Sequence, residues 1–127
     1  MTMGRPVVLV VDDDQQVLRA LGRLVSGAGY QVRTFERPTD LLGSDLPTSE
    51  ACLLVDIHLP EMTGVELCEK LAATGCALPF ILMTGQSDEQ TRLLAAQSQA
   101  VALLMKPFGR DLLLNAIETA LRGRKHP

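Results

Sequence analysis

The chain has 127 residues, enough for one domain with a core of its own and too few for two. Hydrophobic residues make up 46% and charged residues 21%, a globular composition that excludes a disordered tail or a fibrous repeat. A net charge of −3 leaves no electrostatic footprint for nucleic acid, so this chain alone is not expected to hold DNA or RNA. Cys52, Cys68 and Cys76 are odd in number and lack C-x-x-C spacing, so reduced thiols, and with them a cytoplasmic setting, are expected. The apolar run after Met1-Thr2-Met3-Gly4-Arg5-Pro6 is too short for a signal peptide, and none reaches membrane-spanning length.

Short apolar runs alternate with longer stretches of helical period. Val7 to Val11 reads as the first strand. From about Asp14 a helix follows, with Val17, Leu18, Leu21, Leu24, Val25 and Ala28 on one face and Gly27 and Gly29 at its end. Gln31 to Phe35 is a second strand, leading to a short helix in which Pro38 suits the first turn and Gly43 the end. Ala51 to Val55 is the third strand. Thr63-Gly64-Val65-Glu66 reads as a capping box opening a helix that buries Val65, Cys68, Leu71 and Ala72. Pro79 to Met83 is the fourth strand, and Ser87-Asp88-Glu89-Gln90 is expected to open the next helix by the same device. Val101 to Met105 is the fifth strand. The last helix, about Arg110 to Leu121, buries Leu113, Ala116, Ile117 and Ala120, and Arg122 to Pro127 remains as a basic tail or linker start.

Five βα units in succession predict an α/β fold: parallel strands joined by right-handed crossovers, doubly wound, with helices on both faces. Strands so continuously apolar are expected to be buried on both sides, which makes the polar residues just after them the ones to explain. Asp12-Asp13-Asp14 closes the first strand, Asp56 the third, Thr84 the fourth and Lys106 the fifth. Acids delivered side by side to the carboxyl edge of a parallel sheet repel one another, and crowded carboxylates favour a hard divalent cation such as Mg²⁺ with oxygen ligands and water. Each of these residues taken alone has an ordinary explanation, whether helix cap, turn or solvated charge; their convergence on one edge does not.

Val10-Val11-Asp12-Asp13-Asp14, Leu54-Val55-Asp56-Ile57-His58-Leu59-Pro60-Glu61-Met62-Thr63-Gly64, Met83-Thr84-Gly85 and Met105-Lys106-Pro107-Phe108 together resemble the receiver domain of bacterial two-component response regulators. The likeness runs from about Val7 to Leu121, in the family's motif order, so the whole chain is expected to be a single receiver domain. It implies a flavodoxin-like five-stranded sheet in the order 2-1-3-4-5. It implies further that Asp56 is the phosphoacceptor, that Asp12 and Asp13 hold Mg²⁺ with it, that Thr84 contacts the phosphoryl group and that Lys106 pairs with it. The partner implied is a histidine kinase or a phosphotransfer protein, the output lying in a domain or protein outside this chain.

Transfer of a phosphoryl group to a carboxylate asks for these residue types on chemical grounds, since its catalysis is largely positioning and charge neutralisation. In this family the Lys-Pro bond is commonly cis, which only the proline makes reasonable. His58 and Gln86 lie two residues past Asp56 and Thr84, at positions that tend to tune the lifetime of the phosphorylated state in the family. A flavin module is disfavoured, because three negative charges stand where its phosphate loop would be. A haloacid-dehalogenase-type phosphatase is disfavoured too, since Asp12-Asp13-Asp14-Gln15-Gln16 lacks the final Thr or Val of that motif. One departure from the receiver pattern stands out: the residue three before the lysine, commonly Tyr or Phe, is Leu103, and aromatics are only 3% of the chain, so an aromatic rotamer switch is unavailable. Leu103 is expected to be exposed on an edge strand, within a face for a phosphorylation-linked homodimer or an effector.

Overall fold

The computed structural model describes residues 4–123. Five strands, β1 (Val7–Val11), β2 (Gln31–Phe35), β3 (Ala51–Asp56), β4 (Phe80–Thr84) and β5 (Ala102–Met105), form one parallel sheet in the order β2-β1-β3-β4-β5. Between them run α1 (Gln15–Gly27), α2 (Pro38–Leu42), α3 (Gly64–Ala73) and α4 (Glu89–Gln97), and α5 (Arg110–Gly123) follows β5. The expected strand order and double winding are both present. No helix among the described residues is long and apolar enough to cross a membrane.

Strand alternation builds the two layers. Val8, Val10, Cys52, Leu54, Ile81, Met83 and Leu104 face one side and meet α1 and α5 through Leu18, Leu21, Val25, Leu113 and Ile117. Leu9, Val11, Leu53, Val55 and Leu82 face the other, against Leu41 of α2 and Val65, Leu67, Cys68 and Leu71 of α3. β3 is therefore buried throughout, whereas β2, an edge strand, keeps Gln31, Arg33 and Thr34 exposed. None of Cys52, Cys68 and Cys76 is in a disulfide; burial pushes the thiols of Cys52 and Cys68 up to about 12, so these two pack as small apolar groups.

Helix starts follow side-chain chemistry. Asp14 caps α1, accepting from the N–H groups of Gln16 and Val17, and Gly29 beyond its end takes the positive φ of +100° that glycine adopts without penalty. The capping box of α3 is complete, with Thr63 Oγ1 accepting from Glu66 N–H at 3.0 Å and Glu66 Oε1 from Thr63 N–H at 2.8 Å. Four expectations are corrected. Asp88, not Ser87, caps α4, because its carboxylate is the stronger acceptor for the Thr91 N–H at 2.7 Å. Leu67 rather than Ala72 completes the buried face of α3, since α3 has neighbours over a wider arc than one stripe. α5 continues to Gly123, so the expected tail begins later; residues 124 to 127 lie outside the described residues. Leu103 is half-buried rather than exposed, packed with Leu94 and Ala95 of α4 onto the Leu9–Leu82 side of the core.

Candidate functional site: the carboxyl edge of the sheet

The three consecutive acids after β1 have three fates. Asp12 is wholly buried and its Oδ1 accepts the Asp14 N–H at 2.9 Å; Asp13 is exposed; Asp14 caps α1. Asp56, at the end of β3, is 7% exposed. Register sets Val11 beside Val55, so the chain emerges from two adjacent strands at the same level and presents acids side by side. One ligand oxygen each from Asp12, Asp13 and Asp56 lies within 4.8 Å of the other two.

Lys106, from the far end of β5, reaches over this cluster. Its Nζ donates to Asp12 Oδ2 and to Asp56 Oδ2, both at 2.7 Å. The Lys106-Pro107 bond is cis, and the Lys106 N–H donates to Thr84 O at 2.8 Å, which fixes the lysine's origin against β4. Burial lowers the Lys106 pKa, but hydrogen bonds to Asp12 and Asp56 outweigh it and hold the ammonium form above its ordinary value. Asp12 moves upward despite the same ion pair. Its burial outweighs Lys106, and the charge of Asp56 adds to the rise. The asymmetry has a physical cause: the Asp12 side chain is 1% exposed, while that of Lys106 keeps 23% of its surface in water.

Thr84 is buried at the end of β4, and its hydroxyl is engaged with Gln86, accepting the N–H at 3.0 Å and lying 3.3 Å from the carbonyl oxygen. In this state it makes no hydrogen bond to the carboxylates. Asp12, Asp13, Asp56 and Lys106 are thus gathered into one cluster, and Thr84 stands at the same edge with its hydroxyl turned to its own loop.

The turn after β3 is held from several sides. Gly64 N–H donates to Ile57 O at 2.9 Å, His58 pairs with Thr63 in an isolated bridge, and the His58 N–H donates to Asp56 Oδ1 at 2.7 Å. A Cβ at position 64 would lie 2.4 Å from Asp56 O and 2.8 Å from Val55 Cγ1, so only glycine fits. Two connections escape sequence reading. Arg37 and Glu61 pair at 2.8 Å, joining the β2–α2 and β3–α3 loops, an exposed ion pair of small energetic weight. His58 Nε2 lies 3.4 Å from Thr91 Oγ1 on α4. Both pairs join loops distant in sequence, and no local pattern marks either.

Chemically, the cluster offers hard oxygen donors from one exposed carboxylate and from two that share a single ammonium group, which water still reaches. Such a donor set suits a small divalent cation that keeps part of its water. The acidic oxygens and the lysine together make a place where a phosphoryl group could be held and its charge dispersed.

Comparison with known proteins bears on the family and the fold. The family model for the response regulator receiver domain matches residues 8–118. The response regulator protein TmoT of Ectopseudomonas mendocina is 37% identical over 116 residues, covering 91% of this chain and 53% of its own length, so this chain spans about half of that relative. The solved structure of response regulator StyR is 36% identical with a TM-score of 0.86, covering 95% of this chain and 61% of that one. FixJ-N is 28% identical with a TM-score of 0.85, covering 94% and 96%. With a five-stranded sheet in this order and a family match over most of its length, the chain belongs to the response regulator receiver domains, the signalling modules of two-component systems.

Proposed function

We propose that the whole chain is one receiver unit, its core about residues 7 to 121, that accepts a phosphoryl group on Asp56 from a histidine kinase or a phosphotransfer protein and so switches an output outside this chain. The observation that carries this is the double ion pair: Lys106 Nζ sits 2.7 Å from an oxygen of Asp56 and 2.7 Å from one of Asp12. A lysine so placed offsets negative charge beside Asp56, and can follow the charge as it moves onto the phosphoryl oxygens. Asp56 attacks phosphorus in line, an O–P bond forms as the donor's N–P bond breaks, and the donor imidazole leaves. The Thr84 hydroxyl, which donates to the Gln86 carbonyl oxygen, then donates to a phosphoryl oxygen instead. Asp12, Asp13 and Asp56 would hold Mg²⁺, which supplies charge neutralisation at the phosphoryl oxygens. Chemistry of this kind is confined to the chain's own phosphorylation and dephosphorylation, with no turnover of a small substrate.

The same reading places the chain in the cytoplasm, with no nucleic acid bound by this part alone. Homodimerisation on phosphorylation would use the face around Leu103. Leu93 on α4, Val101 and Met105 at the ends of β5 and Leu112 on α5 are its exposed apolar residues, from 38% to 54% exposed.

Acetyl phosphate with Mg²⁺, followed by intact mass, tests the assignment. Wild type gains one phosphate and Asp56→Asn gains none, because the amide keeps the shape and removes the nucleophile. An adduct of equal yield in Asp56→Asn overturns it.

A further inference from the structure

Neither oxygen of Asp56 is free. Lys106 Nζ holds Oδ2, and the backbone N–H of His58 donates to Oδ1 at 2.7 Å. If Asp56 is the phosphoacceptor, as proposed above, esterification of either oxygen removes the carboxylate charge that makes both bonds strong. The His58 N–H is therefore among the first groups whose hydrogen bond weakens.

His58 cannot absorb that loss by drifting alone. It pairs with Thr63, whose capping box anchors α3, and Gly64 lies so close under Asp56 that the turn has no slack. A shift at the His58 backbone thus reorients its exposed ring. The ring's Nε2 reaches Thr91 Oγ1 at 3.4 Å, a long contact that a small movement can tighten or break.

Thr91 is the one fully buried residue of α4, at 4% exposure, and it sits in the first turn with its N–H on the capping Asp88. Leu94 and Ala95 are half-buried, and the remaining α4 side chains face solvent. A helix whose deepest side chain is a hydroxyl depends for its position on that hydroxyl's partners, here the Asp88 carboxylate of its own cap and, from outside the helix, the His58 ring. The route through the fifth strand lacks an aromatic ring, because position 103 is leucine.

We propose that the His58 ring and the Thr91 hydroxyl form the link through which the state of Asp56 reaches α4. His58 acts here as a positioning residue, by reach and hydrogen bonding and not by a change of charge. The chain runs Asp56 Oδ1, His58 N–H, His58 ring, Thr91 hydroxyl, first turn of α4.

The test follows the amide resonances of residues 89–97 in the ¹⁵N-labelled chain, before and after Mg²⁺ with beryllofluoride, which fills the phosphoryl position. Thr91→Val keeps the volume and removes the hydroxyl; His58→Ala removes the ring from an exposed site where folding is not at stake. Each cuts the α4 response about fivefold, the population effect of one hydrogen bond of ordinary net strength. Thr91→Ser and His58→Gln, which restore a hydroxyl and a side-chain nitrogen of similar reach, bring it back, while amides 84–86 respond in every variant. An α4 response that survives undiminished in His58→Ala or Thr91→Val overturns the link, as does a loss that the restoring variants leave in place. Acetyl phosphate labelling of the same samples separates the failures. Wild type without an adduct at Asp56 sinks the phosphoacceptor reading, whereas a labelled wild type whose α4 ignores both removals sinks only this link.

Discussion

β1 and β3 at the centre of the sheet are buried almost end to end, and the turn that follows β3 admits no side chain at Gly64; at the edge α4 buries only Thr91 and β5 only Leu104, and Leu93 is left 52% exposed. Side chains at the centre are held by neighbours on both faces, so the carboxylates standing on it inherit fixed positions. The edge has fewer buried apolar contacts, and regions of that kind open or shift at the lowest cost. The carboxylate cluster thus stands on the closely packed part of the molecule, beside a part with fewer buried contacts.

That contrast predicts unequal responses to substitution. Gly64→Ala is expected to be the most damaging: its Cβ meets backbone and a buried valine, and overpacking there costs about 3 kcal/mol. Urea unfolding measures it, and a loss near zero means that the turn is softer than its contacts imply.

Lys106→Met comes next, because it leaves buried Asp12 beside Asp56 without a cation. Breaking a wholly buried pair costs more, but water reaches Lys106, so about 2 kcal/mol is expected at neutral pH. The sign with pH follows from Asp12. A carboxyl whose folded-state pKa lies above its unfolded one loses stability as pH rises between the two values and regains it on protonation, so the deficit shrinks as pH falls and Asp12 takes up its proton. Mg²⁺ at neutral pH restores part of it if the three carboxylates hold the cation. A deficit independent of both pH and Mg²⁺ places its origin outside the acidic cluster.

At the edge the effects are smaller and sort by burial. Leu103→Ser, in a half-buried site, costs about 1 kcal/mol, whereas Leu93→Ser changes stability by less than about 0.5 kcal/mol. Light scattering with beryllofluoride and Mg²⁺ then sharpens the comparison. If the edge carries self-association, Leu93→Ser weakens it without touching stability; equal association in wild type and Leu93→Ser removes Leu93 from that surface.

Local chemistry in the sequence determined much of this protein. Strand period and continuous apolar runs required a sheet covered on both faces, and acids ending the first and third runs placed carboxylates at its carboxyl edge, where Asp12, Asp13 and Asp56 stand. The capping box at Thr63 was legible because its two partners lie within four residues of one another. The tertiary structure alone decided what depends on neighbours distant in the chain: that Leu103 is half-buried against the core, that Leu67 faces core while Ala72 faces water, and that His58 reaches Thr91 thirty-three positions away. The physical reason is the same in each case. Backbone period and capping are local energies, whereas the burial and partner of a given side chain are set by which element is laid against it, and no stretch of sequence carries that information by itself.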